Sequence, residues 1–152
     1  MADISEKIRN FSELFTQWSQ WEDRYKQLIK IGKNCPPLAD EYKNEQYRVK
    51  GCQSQVWLVA KLEGDCVYFQ SDSDAMIVKG LASLLVNIFS GESPKVIVET
   101  PTDFLNELGI LEHLSMNRSS GLASIIKQMK LYALAYLKLQ KSQQDSGESN
   151  VE

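Results

Sequence analysis

Two runs of β-favouring residues, Val56-Trp57-Leu58-Val59 and Cys66-Val67-Tyr68-Phe69, stand on either side of Glu63-Gly64-Asp65. A glycine-centred turn between two such runs is a hairpin signal. Just upstream, Tyr47 and Val49 alternate with Arg48 and Lys50 and add a third short extended stretch. Outside this block the apolar residues recur at helical spacing: Ile4, Ile8, Phe11, Leu14 and Phe15, then Trp18, Trp21, Tyr25, Leu28 and Ile29. Helical patterns on both sides of one short meander indicate an α+β fold. The expected architecture is a small antiparallel sheet of about three strands, packed against several helices that cover mainly one face.

Local signals punctuate the helices. Gly32 reads as a helix stop, and Cys35-Pro36-Pro37 cannot continue a helix because proline lacks the amide donor. Ile31 to Asn44 is therefore expected as a connection with one short helical turn after Pro37. Ser73 and Asp74 stand where an N-cap belongs, before the stripe Ile77, Leu81, Leu84, Leu85 and Ile88 that Gly91 ends. Ser93-Pro94 starts a short helix, and Pro101 with Asp103 starts another leading into Phe104, Leu105 and Leu108. Ser119 or Ser120 opens the last helix, which carries Leu122, Ile125, Ile126, Met129, Tyr132, Ala133 and Tyr136. The polar stretch from Ser142 to Glu152 is expected to be a disordered tail, leaving 1–141 as a single domain.

Composition narrows the function classes. With 43% hydrophobic residues in a chain of 152, a core can form without a metal or a disulfide. Net charge is −3, with no basic excess of the kind nucleic-acid binding uses. No stretch approaches the roughly 18 apolar residues of a membrane span. Met1–Arg9 holds no apolar run and so does not read as a secretory signal. The expectation is a cytoplasmic protein with free thiols that binds neither nucleic acid nor membrane. Its three cysteines, Cys35, Cys52 and Cys66, include no CxxC pair, and His113 is the only histidine.

The stretch with the most chemistry is Val49-Lys50-Gly51-Cys52-Gln53-Ser54-Gln55-Val56-Trp57. It places a cysteine in the bend between two strands. Gly51 permits a positive φ or a close backbone approach, and a neighbouring Lys50 would favour the nucleophilic thiolate. Gln53 and Ser54 add polar groups able to orient a transferred atom. These residue types fit a reactive Cys52, and equally an inert thiol in a polar turn.

Gly51-Cys52-Gln53-Ser54-Gln55-Val56-Trp57 resembles the active-site loop of the SufE/CsdE family of sulfur acceptors. Tyr25 to Lys33, Ser71-Asp72-Ser73-Asp74-Ala75 with Ile77-Val78-Lys79-Gly80-Leu81, and His113-Leu114-Ser115 with Arg118 and Gly121-Leu122 resemble other family segments in order and spacing. The likeness runs from about Trp21 to Tyr136. It implies a SufE/IscU-like fold and an accessory sulfur-transfer protein rather than a free-standing enzyme. In that family a pyridoxal-phosphate-dependent cysteine desulfurase, SufS-like or CsdA-like, holds sulfur as a persulfide. The acceptor's loop cysteine, here Cys52, takes the sulfur, stimulates the desulfurase and relays it toward a downstream iron–sulfur scaffold. The cofactor belongs to the partner, and none is expected in this chain. Gly51, Gln53 and Ser54 would support the loop, and Asp74 and Arg118 would face the partner. Val49, Val56 and Trp57 are expected to shield Cys52.

Other readings use the same residues. Cys35, Cys52 and Cys66 would be the ligands in a metal-binding or iron–sulfur scaffold module of IscU-like fold, but their spacing lacks the close pair that structural zinc commonly uses. Cys66 reads better as a small buried residue. Cys52 with His113 would make the nucleophile–base pair of a thiol hydrolase.

Overall fold

The computed structural model describes residues 3–149. Its helices are α1 (Ile4–Thr16), α2 (Trp21–Asn34), α3 (Met76–Phe89), α4 (Pro94–Glu99), α5 (Phe104–Glu107) and α6 (Met116–Ser149). One hairpin of β1 (Val56–Glu63) and β2 (Cys66–Ser73) lies between α2 and α3. Single 3-10 turns occupy Asp40–Tyr42, as expected after Pro37, and Leu111–His113. The α+β class holds. No helix among the described residues is long and apolar enough to cross a membrane.

The hairpin pairs Val56 with Ser73 at one end and Glu63 with Cys66 at the other. Its two-residue loop has a positive φ of 60° at Gly64 only, the pattern of a type II′ turn, whose twist matches that of paired strands. The third strand expected around Tyr47 and Val49 is reduced to an isolated bridge between Arg48 and Trp57. Val49 N–H donates to Val56 O at 2.8 Å, and Leu58 N–H donates to Tyr47 O at 2.9 Å. Turns at 44–47 and at 50–51 confine the extended stretch to a residue on each side of that bridge.

Alternation along the strands turns Val56, Leu58, Val67 and Phe69 inward, where they are buried with Leu81, Leu84, Leu85 and Ile88 of α3. Leu122, Ile125, Ile126 and Met129 of α6 join the same core. Gly32 is not a stop: α2 continues to Asn34. A Cβ on Gly32 would lie 3.0 Å from Gly80 N, and one on Gly80 would lie 2.2 Å from Leu28 O. The two glycines let α2 and α3 cross backbone to backbone.

Three further differences from the sequence reading concern helix ends. Ala75, not Ser73 or Asp74, is the N-cap of α3, and it makes no side-chain cap bond; Ser73 Oγ instead accepts from Ala75 N–H at 3.2 Å. Helix α6 begins at Met116, three residues early, where Ser115 Oγ accepts the Arg118 amide at 3.3 Å. It then runs through Ser149, past Ser142, the expected start of the polar tail; residues 150–152 lie outside the described residues.

Three polar side chains seat α6. Tyr132 and Tyr136 hydroxyls donate to Leu58 O at 3.3 Å and Ala60 O at 3.1 Å on β1. Lys130 Nζ donates to Ile97 O at 2.7 Å and Thr100 O at 2.6 Å at the end of α4, where a cation answers the exposed carbonyls. With α6 fixed along β1, its first turns come against the segment that precedes that strand.

Candidate functional site

That segment is the Cys52 loop. Val49 and Val56 hold its ends together through their backbone bond. Gly51 has φ of 94°, and a Cβ there would lie 2.6 Å from Ser124 Oγ on α6. The conformation favours glycine, and a side chain there would also displace the Ser124 hydroxyl. At the other end, Gln55 N–H donates to Asp74 Oδ1 at 3.0 Å, while Asp74 N–H donates to Gln55 O at 3.3 Å. Asp74, expected as a helix cap or a partner contact, thus ties the loop to the start of α3.

Between these anchors the Cys52 thiol points at α6 and donates to Gly121 O, with Sγ 3.5 Å away. The side chain is half-buried and packs against the edge of the core. Burial pushes its thiol pKa up, because a thiolate loses hydration there; the Arg48 guanidinium pulls it part of the way back. The cation acting on the sulfur is therefore Arg48 rather than the adjacent Lys50. Arg48 itself pairs with Glu45 at 3.2 Å.

Cys52 forms one wall of a cleft of about 580 Å³ between the loop, the start of α3 and the start of α6. Gln53, Ser54, Met76, Arg118 and Gly121 share its lining. The structure brings Cys52, Gln53, Ser54 and Arg118 together in this lining, with Gly51 next to Cys52 in the loop. Asp74 is exposed and acts from behind the loop, outside the cleft lining. Val49, Val56 and Trp57, expected to shield the thiol, do not line the cleft. Val49 and Val56 face the core, at 1% and 0% exposure, since the hairpin alternation sends them inward. The side chain is covered instead on the α6 side, where Gly121 lies against the sulfur, and residues 75–78 line the same cleft.

The remaining candidates lie elsewhere. The His113 ring packs against Trp21 at a tilt of 56° with centroids 3.8 Å apart, its carbonyl accepts the Tyr25 hydroxyl, and it is absent from the cleft lining. The Arg118 guanidinium sits over the Tyr25 ring at 5.9 Å, which leaves its edge free for hydrogen bonding. Cys35 follows the end of α2 and lines a different cleft, and Cys66 opens β2 opposite Glu63. Among the described residues no three His, Cys, Asp or Glu side chains gather where they could hold a metal ion.

Sequence reasoning missed Arg48, Ser124 and Met76 as parts of this site. Ser124 reaches it through helix packing, which leaves no local trace, whereas Arg48 lies just before the turn at 50–51 and acts on the sulfur across it. Met76 had a signal, since it is an apolar residue at the helix start that stands outside the stripe of Ile77, Leu81, Leu84, Leu85 and Ile88.

The family model SufE, described as "Fe-S metabolism associated domain", matches residues 9–133. An uncharacterized SufE-like protein of Rhizobium meliloti is 37% identical over 135 residues, covering 86% of this chain and 94% of its own. The SufE-like protein 1, chloroplastic/mitochondrial, of Arabidopsis thaliana is 34% identical over 151 residues, 99% of this chain and 41% of the plant protein. A solution structure of a hypothetical protein from Thermus thermophilus superposes with a TM-score of 0.73 at 28% identity, over 87% of this chain and 96% of that one. With its hairpin, its helical cover and its match over most of its length, the chain belongs to the SufE family of Fe–S metabolism associated domains.

Proposed function

We propose that the chain is a sulfur acceptor for a pyridoxal-phosphate-dependent cysteine desulfurase, SufS-like or CsdA-like, and carries the sulfur on Cys52 toward an iron–sulfur scaffold. One observation carries the reading: the only cysteine on a glycine-hinged loop is held half-buried beside Gly121, at the wall of an open cleft. The family's association with Fe–S metabolism supports it.

The chemistry is thiol–disulfide exchange at a persulfide. The Cys52 thiolate attacks the terminal sulfur of the desulfurase persulfide. A new S–S bond forms on Cys52, the old one breaks, and its electron pair leaves on the desulfurase cysteine as thiolate. No net oxidation occurs. Removing the persulfide frees the desulfurase cysteine for another turnover, which is how an acceptor stimulates its donor without being an enzyme itself.

Burial disfavours the Cys52 thiolate in the free protein, and a partner that draws the loop off Gly121 would relieve that cost. Gly51 gives the hinge, and Gln53 and Ser54 offer polar groups to the arriving sulfur. Arg118 presents its fork of donors to a partner carboxylate or carbonyl. Asp74 holds the loop at Gln55 and so sets how readily it leaves. All three cysteines are free thiols, in keeping with a reducing compartment such as the cytoplasm.

Incubation with the cognate desulfurase and cysteine, followed by peptide mass mapping, tests the reading. The expected result is added sulfur on the peptide carrying Cys52 and none after Cys52→Ser, with cooperative unfolding kept in the variant. Sulfur on Cys35 or Cys66 with Cys52 unmodified would overturn it.

A further inference from the structure

Large exposed apolar side chains fall into separate places among the described residues. Leu131, Leu134 and Leu139 lie along the middle of α6. Two others stand at the mouth of the Cys52 cleft. Met76 opens α3, is 56% exposed and lines the cleft. Met116 opens α6, is 84% exposed and sits between Ser115 and Asn117, which both line it. A lone exposed methionine needs no explanation. Here two helix starts converge on one cleft, and each presents an exposed methionine, Met76 within the lining and Met116 between two lining residues.

Three cations stand at or near the cleft, although Glu45 pairs with Arg48 and the Asp74 carboxylate holds the far end of the loop. Lys50 adjoins Gly51, Arg118 lines the cleft, and Arg48 is near enough to influence the sulfur. Among the described residues neither Lys50 nor Arg118 is in an ion pair, although the chain as a whole carries −3.

We propose that Met76 and Met116 are the apolar anchors of the desulfurase-docking surface, seated in an apolar depression of the desulfurase whose border is acidic and meets Lys50 and Arg118. This rests on the sulfur-acceptor reading. Transfer demands sulfur–sulfur contact at Cys52, so whatever brings the persulfide must cover the rim of this cleft and take both methionines out of water. An unbranched thioether suits the position, because it repacks as the Cys52 loop moves away from Gly121. The basic collar favours the approach of an acidic partner and of the persulfide anion itself.

The test is calorimetric titration of the full chain into the pyridoxal-phosphate-loaded SufS-like desulfurase of the same organism, beside thermal unfolding of each variant. Met76→Gln and Met116→Gln should each weaken binding about tenfold while the melting temperature stays put. Met76→Leu and Met116→Leu should retain most of the affinity, since volume and apolarity are kept. Raised salt should weaken the wild type further through Lys50 and Arg118. Glutamine variants that bind like the wild type while Cys52 still gains sulfur would overturn the anchors and leave the acceptor reading standing. Leucine variants as weak as glutamine ones would also overturn them. Wild-type protein that neither binds nor gains sulfur would remove both readings together.

Discussion

At Cys52 two effects oppose each other. Loss of hydration raises the thiol pKa, and the Arg48 guanidinium lowers it, with burial the larger. A thiol held in this way resists casual oxidation and alkylation, because the thiolate is the reactive form. Alkylation of Cys52 in the free protein should therefore rise with pH along a curve displaced above that of an ordinary cysteine. Arg48→Gln removes the only cation that opposes burial, so the curve should move further up and alkylation at neutral pH should slow. Peptide-resolved labelling with iodoacetamide across a pH series measures both. A faster reaction in the Arg48 variant would mean that the guanidinium blocks the thiol instead of stabilising its anion.

The crossing of α2 over α3 governs the element scale. Gly80 allows the Leu28 carbonyl to approach where any side chain would collide, and the head of α3 lines the Cys52 cleft only because that helix is pressed into place. Gly80→Ala gains about 1 kcal/mol of helix propensity, but forcing a methyl within 2.2 Å of Leu28 O must push the helices apart. The net effect should be a loss of about 2–3 kcal/mol in chemical denaturation, as overpacking exceeds the helical gain. Unchanged stability would show that the crossing relaxes freely.

Across the whole molecule, Asp72 connects three parts of the chain. Its side chain is 8% exposed and lies within 3.3 Å of Lys43 Nζ and 3.4 Å of Lys79 Nζ. It also accepts the Ser73 amide at 2.8 Å and the Leu38 amide at 3.2 Å. Burial works against its charge most strongly as a single effect, yet these two amides and the two ammonium groups together hold the carboxyl below its usual range. A carboxyl with a depressed folded-state pKa stabilises the fold above its unfolded value, about 3.9, and that stability is lost as pH falls through the lower folded value. Asp72→Asn should cost about 3 kcal/mol at neutral pH, because two cations and two amides lose their charged partner. It should also flatten the decline of melting temperature below about pH 4. Melting curves of both proteins from pH 2 to 7, a range chosen to bracket roughly the carboxyl titrations, check it.

Much of the architecture was written locally. The hairpin followed from two β-favouring runs around Gly64, and the α4 start from Ser93-Pro94, where Ser93 Oγ accepts the Val96 amide. The family likeness rested on short ordered motifs, and the loop cysteine was legible because Gly51-Cys52-Gln53 interrupts two strand patterns. These are signals within a few residues of chain, and period and turn chemistry are enough to read them. Tertiary structure alone decided the rest. Gly32 looks like a stop in sequence and is a helix contact, because only the position of Gly80 distinguishes the two. Val49 and Val56 look like a pocket and are core, because the bridge at Arg48 sets which way the strands alternate. Asp74 reaches Gln55, Gly121 reaches the Cys52 thiol and Ser124 crowds position 51 through contacts between segments far apart in the chain, and residue spacing carries no record of those distances.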